Sequence, residues 1–191
     1  FIDFIFWIIN HVALLIINEE AELQGVALLT LTASQNLFDF EDLVKKYGYD
    51  DIDQEAWYPM HEALQFLKDL TERHNTTQNM VSIGMKLLDV MPLPPEVQTI
   101  PDGLHMFNTM NTVVQRNVNP PRDWYIIEQV DDSYIKFTDT GAYPHDLVYG
   151  EVYSVAKRLR PEGKFPIVER EYLNKDEPDN DGAIYHIKFK E

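Results

Sequence analysis

Asp123-Trp124-Tyr125-Ile126-Ile127-Glu128-Gln129-Val130 and Ser133-Tyr134-Ile135-Lys136-Phe137-Thr138, parted by Asp131-Asp132, are two short β-rich runs around a polar pair. That pattern reads as a β-hairpin, with Trp124, Ile126, Ile135 and Phe137 as its expected inward residues. Downstream, Tyr143 to Arg160 returns to helical spacing, with Pro144 suited to the first turn and Lys157, Arg158 and Arg160 at the negative C-terminal end. His145, next to Pro144, is expected on the surface of that turn. Phe165–Leu173 and Ala183–Lys190 then form a second strand pair. In the last run Tyr185, Ile187 and Phe189 alternate with His186, Lys188 and Lys190, the pattern of a sheet with one buried and one wet face. Upstream of the hairpin the spacing is helical. The fold class is therefore α+β, an N-terminal helical layer packed on a C-terminal four-stranded antiparallel sheet with one inserted helix.

Working back from the hairpin, Asp102 is placed to cap a helix carrying Leu104, Met106, Phe107, Met110, Val113 and Val114. Asn75 to Gln78 has capping-box spacing before Met80, Ile83 and Leu87. Asp53 is the expected cap of a helix with Trp57, Met60, Leu64, Leu67 and Leu70 on one stripe. Phe38 to Tyr47 reads as a helix ended by Gly48, and Glu19 to Phe40 as a helix dense enough in apolar residues to be central. Phe1 to Ile17 is apolar except for Asp3, Asn10 and His11, and has no Lys or Arg. It lacks the basic region and small-residue site of a signal peptide and falls slightly short of a membrane span. Residues 1–24 are read as an apolar N-terminal helix in the core, in a dimer seam or in membrane contact, with a strand as the other reading; residues 25–191 are read as a single domain. The chain opens on Phe1, which is compatible with a segment cut from a longer sequence.

Composition narrows the function classes. The 191 residues are 45% apolar and 25% charged, ordinary for a globular chain. Sixteen Lys and Arg against 32 Asp and Glu give a net charge of −16, which argues against nucleic acid as a partner. The absence of cysteine removes disulfides, thiolate metal sites and cysteine nucleophiles, and fits a cytoplasmic location. The acids are unevenly spread: residues 19–90 hold 14 acids and 5 bases, residues 91–122 hold two of each, and residues 123–191 hold 15 and 9. The neutral middle stretch and the nearly uncharged first 18 residues are where a neutral ligand or a partner would bind.

A search for chemistry returns few candidates. Neither GxGxxG nor GxxxxGK[ST] occurs, His61-Glu62 lacks the second His of a zincin because Gln65 stands there, and there is no GxSxG elbow. The acidic run Asp176 to Gly182 fails the EF-hand register, since the position that needs a bidentate Glu is Lys188; it reads as a solvated turn or a weak cation site. No metal site and no catalytic set of nucleophile, base and orienting group can be nominated, so an enzyme is not expected. His105, amid Met106, Phe107 and Met110, is either solvent-facing beside Asn108, Thr109 and Thr112 or a haem or metal ligand. All six methionines lie between Met60 and Met110, as core fillers or as the lining of an adaptable pocket.

Trp57-Tyr58-Pro59 opening a helix, Ser82-Ile83-Gly84 some 25 residues on, and Tyr143-Pro144-His145-Asp146-Leu147-Val148-Tyr149-Gly150 leading into a helix after a hairpin carry a resemblance. Over roughly residues 25–190 the chain resembles bacterial sensory domains related to the haem nitric oxide/oxygen-binding proteins, the vinyl-reductase-like small-molecule-binding domains and the TRAPP subunits. The resemblance implies a cavity between helices and sheet and a sensing or adaptor role. Its haem-binding branch needs a proximal His, for which Leu104-His105 could stand, and a Tyr-x-Ser-x-Arg string; Tyr153-Ser154-Val155-Ala156-Lys157 has neither the spacing nor the Arg. The expectation is a non-catalytic domain that takes haem or, in preference, another small hydrophobic ligand lined by Met80, His105, Met106, Phe107, Met110, Trp124 and Tyr149. It would signal to a partner protein as a homodimer; the alternative is an adaptor module in which residues 1–17 and the Met-rich helices form a protein interface.

Overall fold

The computed structural model describes residues 17–33, 40–73, 76–90, 93–118, 124–176 and 182–190. Most of the N-terminal segment, the Asn75 cap and the core of the acidic 176–182 loop thus lie outside the described residues. In chain order the elements are β1 (Glu22–Gln24), α1 (Gly25–Ala33), α2 (Glu41–Lys46), β2 (Trp57–Pro59), α3 (Met60–Thr71), α4 (Thr76–Val90), α5 (Ile100–Val114), β3 (Gln115–Arg116), β4 (Tyr125–Asp131), β5 (Tyr134–Asp139), α6 (His145–Arg158), β6 (Phe165–Tyr172) and β7 (Ala183–Lys190). The expected α+β class is what the structure has, with a four-stranded antiparallel sheet ordered β4-β5-β7-β6.

The sheet has two unlike faces. Tyr125, Ile135, Phe137, Tyr185 and Ile187 are buried against the helices. The opposite face is polar and tied by cross-strand ion pairs, Lys136 to Glu128 at 2.8 Å and Lys188 to Glu169 at 2.8 Å, which fix register more than they stabilise. Asp131 closes the hairpin by accepting from the Ser133 backbone at 2.7 Å and its hydroxyl at 2.8 Å. Ile126 departs from expectation: it is 52% exposed, and Tyr125 and Ile127 face inward instead. Three apolar residues in a row left the parity open, and Trp124, buried just before the strand, does not share its alternation.

Helix α6 lies on the inner face, and α4 packs on α6 so closely that backbones touch. A Cβ on Gly84 would run into the Leu147 carbonyl and stand 3.0 Å from Gly150 Cα; one on Gly150 would run into the Val81 carbonyl. Only glycine permits this approach. Pairings of residues 84 with 150, 85 with 154 and 88 with 158 show that the two helices run parallel. Helix α5 begins with a capping box in which Thr99 is the cap and Asp102 its reciprocal partner, rather than Asp102 the cap. Its Asn108 side chain is bonded to both the N–H and the C=O of Tyr125, at 3.1 and 2.6 Å, docking α5 on β4.

Before α5, the helical reading of Glu19 to Phe40 is corrected at its start. Glu22–Gln24 is the central strand of a small sheet ordered β2-β1-β3, and only Gly25–Ala33 is helical among the described residues of that stretch. Pairing with distant strands on both sides overrides local helical propensity here. The same sheet places Trp57–Pro59 in β2, so the following helix starts at Met60 and is not capped by Asp53, whose carboxylate accepts instead from Glu55 N at 2.9 Å. Arg116 fastens this sheet, 2.6 Å from Glu22 and 4.4 Å from the Trp57 ring centroid. No described helix is long and apolar enough to cross a membrane.

Candidate functional site: a buried polar cluster beneath the sheet

The interior between α5, α6 and the sheet is not purely apolar. Asp139, at the end of β5, is fully buried; its carboxylate accepts from Gly141 N at 2.7 Å and lies 3.2 Å from Nδ1 of His145. His145 is therefore buried, not on the surface of the first turn as its place after Pro144 suggests, because the carboxylate and the Tyr172 ring 5.7 Å away draw it inward. The Tyr185 hydroxyl donates to the His145 carbonyl at 2.9 Å, so strand β7 holds the helix start in place. Glu151, two turns along α6, is also buried. Burial, with the charge of Asp139 as a smaller contribution, pushes its carboxyl up to about 8.

Phenols and amides complete the cluster. Burial raises Tyr125, Tyr143 and Tyr185 above the usual phenol range, with the nearby carboxylates adding to the shift for each. Gln115 donates to the Tyr143 hydroxyl at 3.2 Å and to Asn111 Oδ1 at 3.3 Å, and the Asn111 amide is turned to the Tyr125 phenol, which it draws down against the larger effect of burial. Aromatic rings wall the cluster: Trp124 lies 5.2 Å from Tyr143, and Phe137 lies 5.7 Å from Tyr185. Asp139 and His145 form a base and orienter pair, but among the described residues no nucleophile is bonded to it, and no group of three or more His, Asp and Glu is arranged to hold a metal ion.

The residues expected to line a ligand site are spread over four parts of the fold. Trp124 and Tyr149 border the cluster, Tyr149 standing 6.3 Å from Tyr185 with its hydroxyl donating to Val168 O at 3.1 Å. Phe107 is buried on α5, and Met106 and Met110 are half-buried on the same helix. Met80 is fully buried on α4. His105 is exposed, as are Thr109 and Thr112. Sequence reasoning missed Asp139, His145 and Glu151. A signal was present for two of them: Asp139 continues the inward alternation of Ile135 and Phe137, and Glu151 sits among Leu147, Val148, Val152 and Val155 on the buried side of its helix.

No family model matches the chain, and no curated protein does. Solved structures do match. The Fe(II) unliganded H-NOX protein from K. algicida superposes with a TM-score of 0.65 at 13% identity, over 88% of this chain and 97% of that one. A mutant of the same protein gives 0.62 at 12% identity over 88% and 97%, and a mutant of T. tengcongensis H-NOX gives 0.61 at 15% identity over 88% and 98%. This chain has the H-NOX fold. Other H-NOX structures with this fold are described by the distortion of their haem, so the cluster has to be tested against haem. The residues present do not fit it. The histidine on α5 is exposed, the interior offers two buried carboxyls where an acidic porphyrin would be received, and Arg170 at its margin is committed to Asp146 at 2.8 Å.

Proposed function

We propose that this chain is a non-catalytic sensory or regulatory domain with the H-NOX fold that binds a small amphipathic molecule, and not haem, between α5, α6 and the sheet. The observation that carries this reading is the buried set of Asp139, His145 and protonatable Glu151 within an aromatic wall. Such a setting suits a molecule with an apolar body and one hydrogen-bonding end. Signalling would follow from population shift: a ligand wedged against α6 favours one packing of that helix, and its glycine contact transmits the change to α4. The test is a thermal-shift screen of lipids, amphipathic metabolites and tetrapyrroles on the full chain. A ligand at 100 times its Kd should add about 2.7 kcal/mol, or roughly 5 to 10 °C in Tm. Asn111→Leu should abolish the shift, and added haem should keep the broad Soret band of free haem. No shift with any compound, or a Soret band lost in His105→Ala, overturns the reading.

A second reading, an adaptor that works as a homodimer, draws on the exposed apolar residues Ile126 and Val130 of edge strand β4 and Val113 of α5. Light scattering checks it: Ile126→Lys should convert a dimer to a monomer.

A further inference from the structure

The side of α6 turned away from the sheet carries a different chemistry. Because α4 and α6 run parallel, their C-terminal ends lie together, and between them is a groove of about 560 Å³, within the range of small-molecule sites. Four cations line it: Lys86 of α4, Lys157 and Arg158 of α6, and Arg160 just beyond. Part of this charge serves the fold. Arg158 donates to Leu88 O at 2.8 Å, at the end of α4, and Arg160 donates to Lys157 O. Each helix end counts as about half a negative charge, so two ends offset about one cation and Asp89 another. Cations still outnumber carboxylates among the lining residues by four to one, in a chain whose net charge is −16. Lys157 is exposed and has no carboxylate partner among the ion pairs of the described residues, and the Ser82 hydroxyl stands exposed at the same rim.

We propose that the groove between the C-terminal halves of α4 and α6 binds a small soluble molecule carrying a multiply charged phosphoryl group. Guanidinium forks, an ammonium and a hydroxyl are the donors that such oxygens take, and Met85 gives the groove an apolar wall for the rest of the molecule. The charge balance selects the size of the ligand. Within a Debye length of about 8 Å only the local cations act, whereas a long polyanion such as nucleic acid or an acidic protein would meet the acids of the whole surface. The site is separate from the cluster under the sheet and does not depend on it.

The experiment is calorimetric titration of the full chain with inorganic pyrophosphate at physiological salt, with anionic-lipid vesicles as a second probe. Expected are saturable binding of pyrophosphate, at least tenfold weakening in Lys157→Glu/Arg160→Glu, retention in Lys157→Arg, and loss as salt is raised. Unchanged Tm of the double variant confirms that the fold is intact. Absence of saturable binding, equal affinity in the double variant, or binding to vesicles with none to pyrophosphate overturns the proposal.

Discussion

Helix α6 divides two regions of opposite character. On the sheet side, Glu151 stands among Leu147, Val148, Val152 and Val155, beside Asp139 and three phenols, in an interior without water-facing charge. On the α4 side, Gly150, Ser154 and Arg158 recur at spacing four and open into a cationic groove. One fourteen-residue helix thus presents protons to be held on one side and fixed positive charge on the other. The comparison teaches that burial, not residue type, decides what an ionisable group does: the carboxyl inside keeps its proton to about pH 8, while Arg158 outside serves a helix end.

Gly150 belongs to both regions, so altering it should have the largest effect. Gly150→Val places a branched side chain against the Val81 carbonyl and the Gly84 backbone, and about 3 kcal/mol or more of stability should be lost on denaturant unfolding. A loss below about 1 kcal/mol would mean that the helices are not in backbone contact.

Glu151→Gln isolates the acidic side. Folded, Glu151 holds its proton up to about pH 8; unfolded, it releases it near 4.5. Between these values the native state binds more protons than the unfolded state, so stability is full at the acid end and falls as pH rises, by as much as about 1.4 kcal/mol per pH unit. The groups facing Glu151 are Asp139, Tyr125, Tyr143 and Tyr185, with His145 beside Asp139, and all remain in the variant. The difference in unfolding free energy between variant and parent should therefore grow in the variant's favour from pH 4.5 to 8 and level off above. A flat difference would place Glu151 in solvent.

The smallest effect belongs to the basic side. Lys157→Glu alone changes an exposed side chain, and stability should stay within about 0.5 kcal/mol at neutral pH. A larger loss would show that the groove's charge is needed by the fold.

The strand-strand-helix-strand-strand order was legible because alternation and helical spacing are each sustained over six residues or more. The small sheet was not, since strands of two and three residues carry no period, and Glu22–Gln24 becomes a strand only by pairing with chain 35 and 94 residues away. His145 could not be placed from sequence, because its partner Asp139 lies across a turn whose course no local pattern dictates. The groove was legible in part: Lys157, Arg158 and Arg160 read as a helix terminus, but that Arg158 serves the end of α4 rather than its own helix follows only from the parallel packing.

Asn108 has one more effect. Tyr125 N–H and C=O point away from β5, toward the open edge of the sheet, and the Asn108 amide meets both, offering donor and acceptor as a neighbouring strand would. A single side chain thereby acts as a counterfeit fifth strand one residue long. It denies an incoming chain its first pair of hydrogen bonds, so sheets cannot zip together from that end.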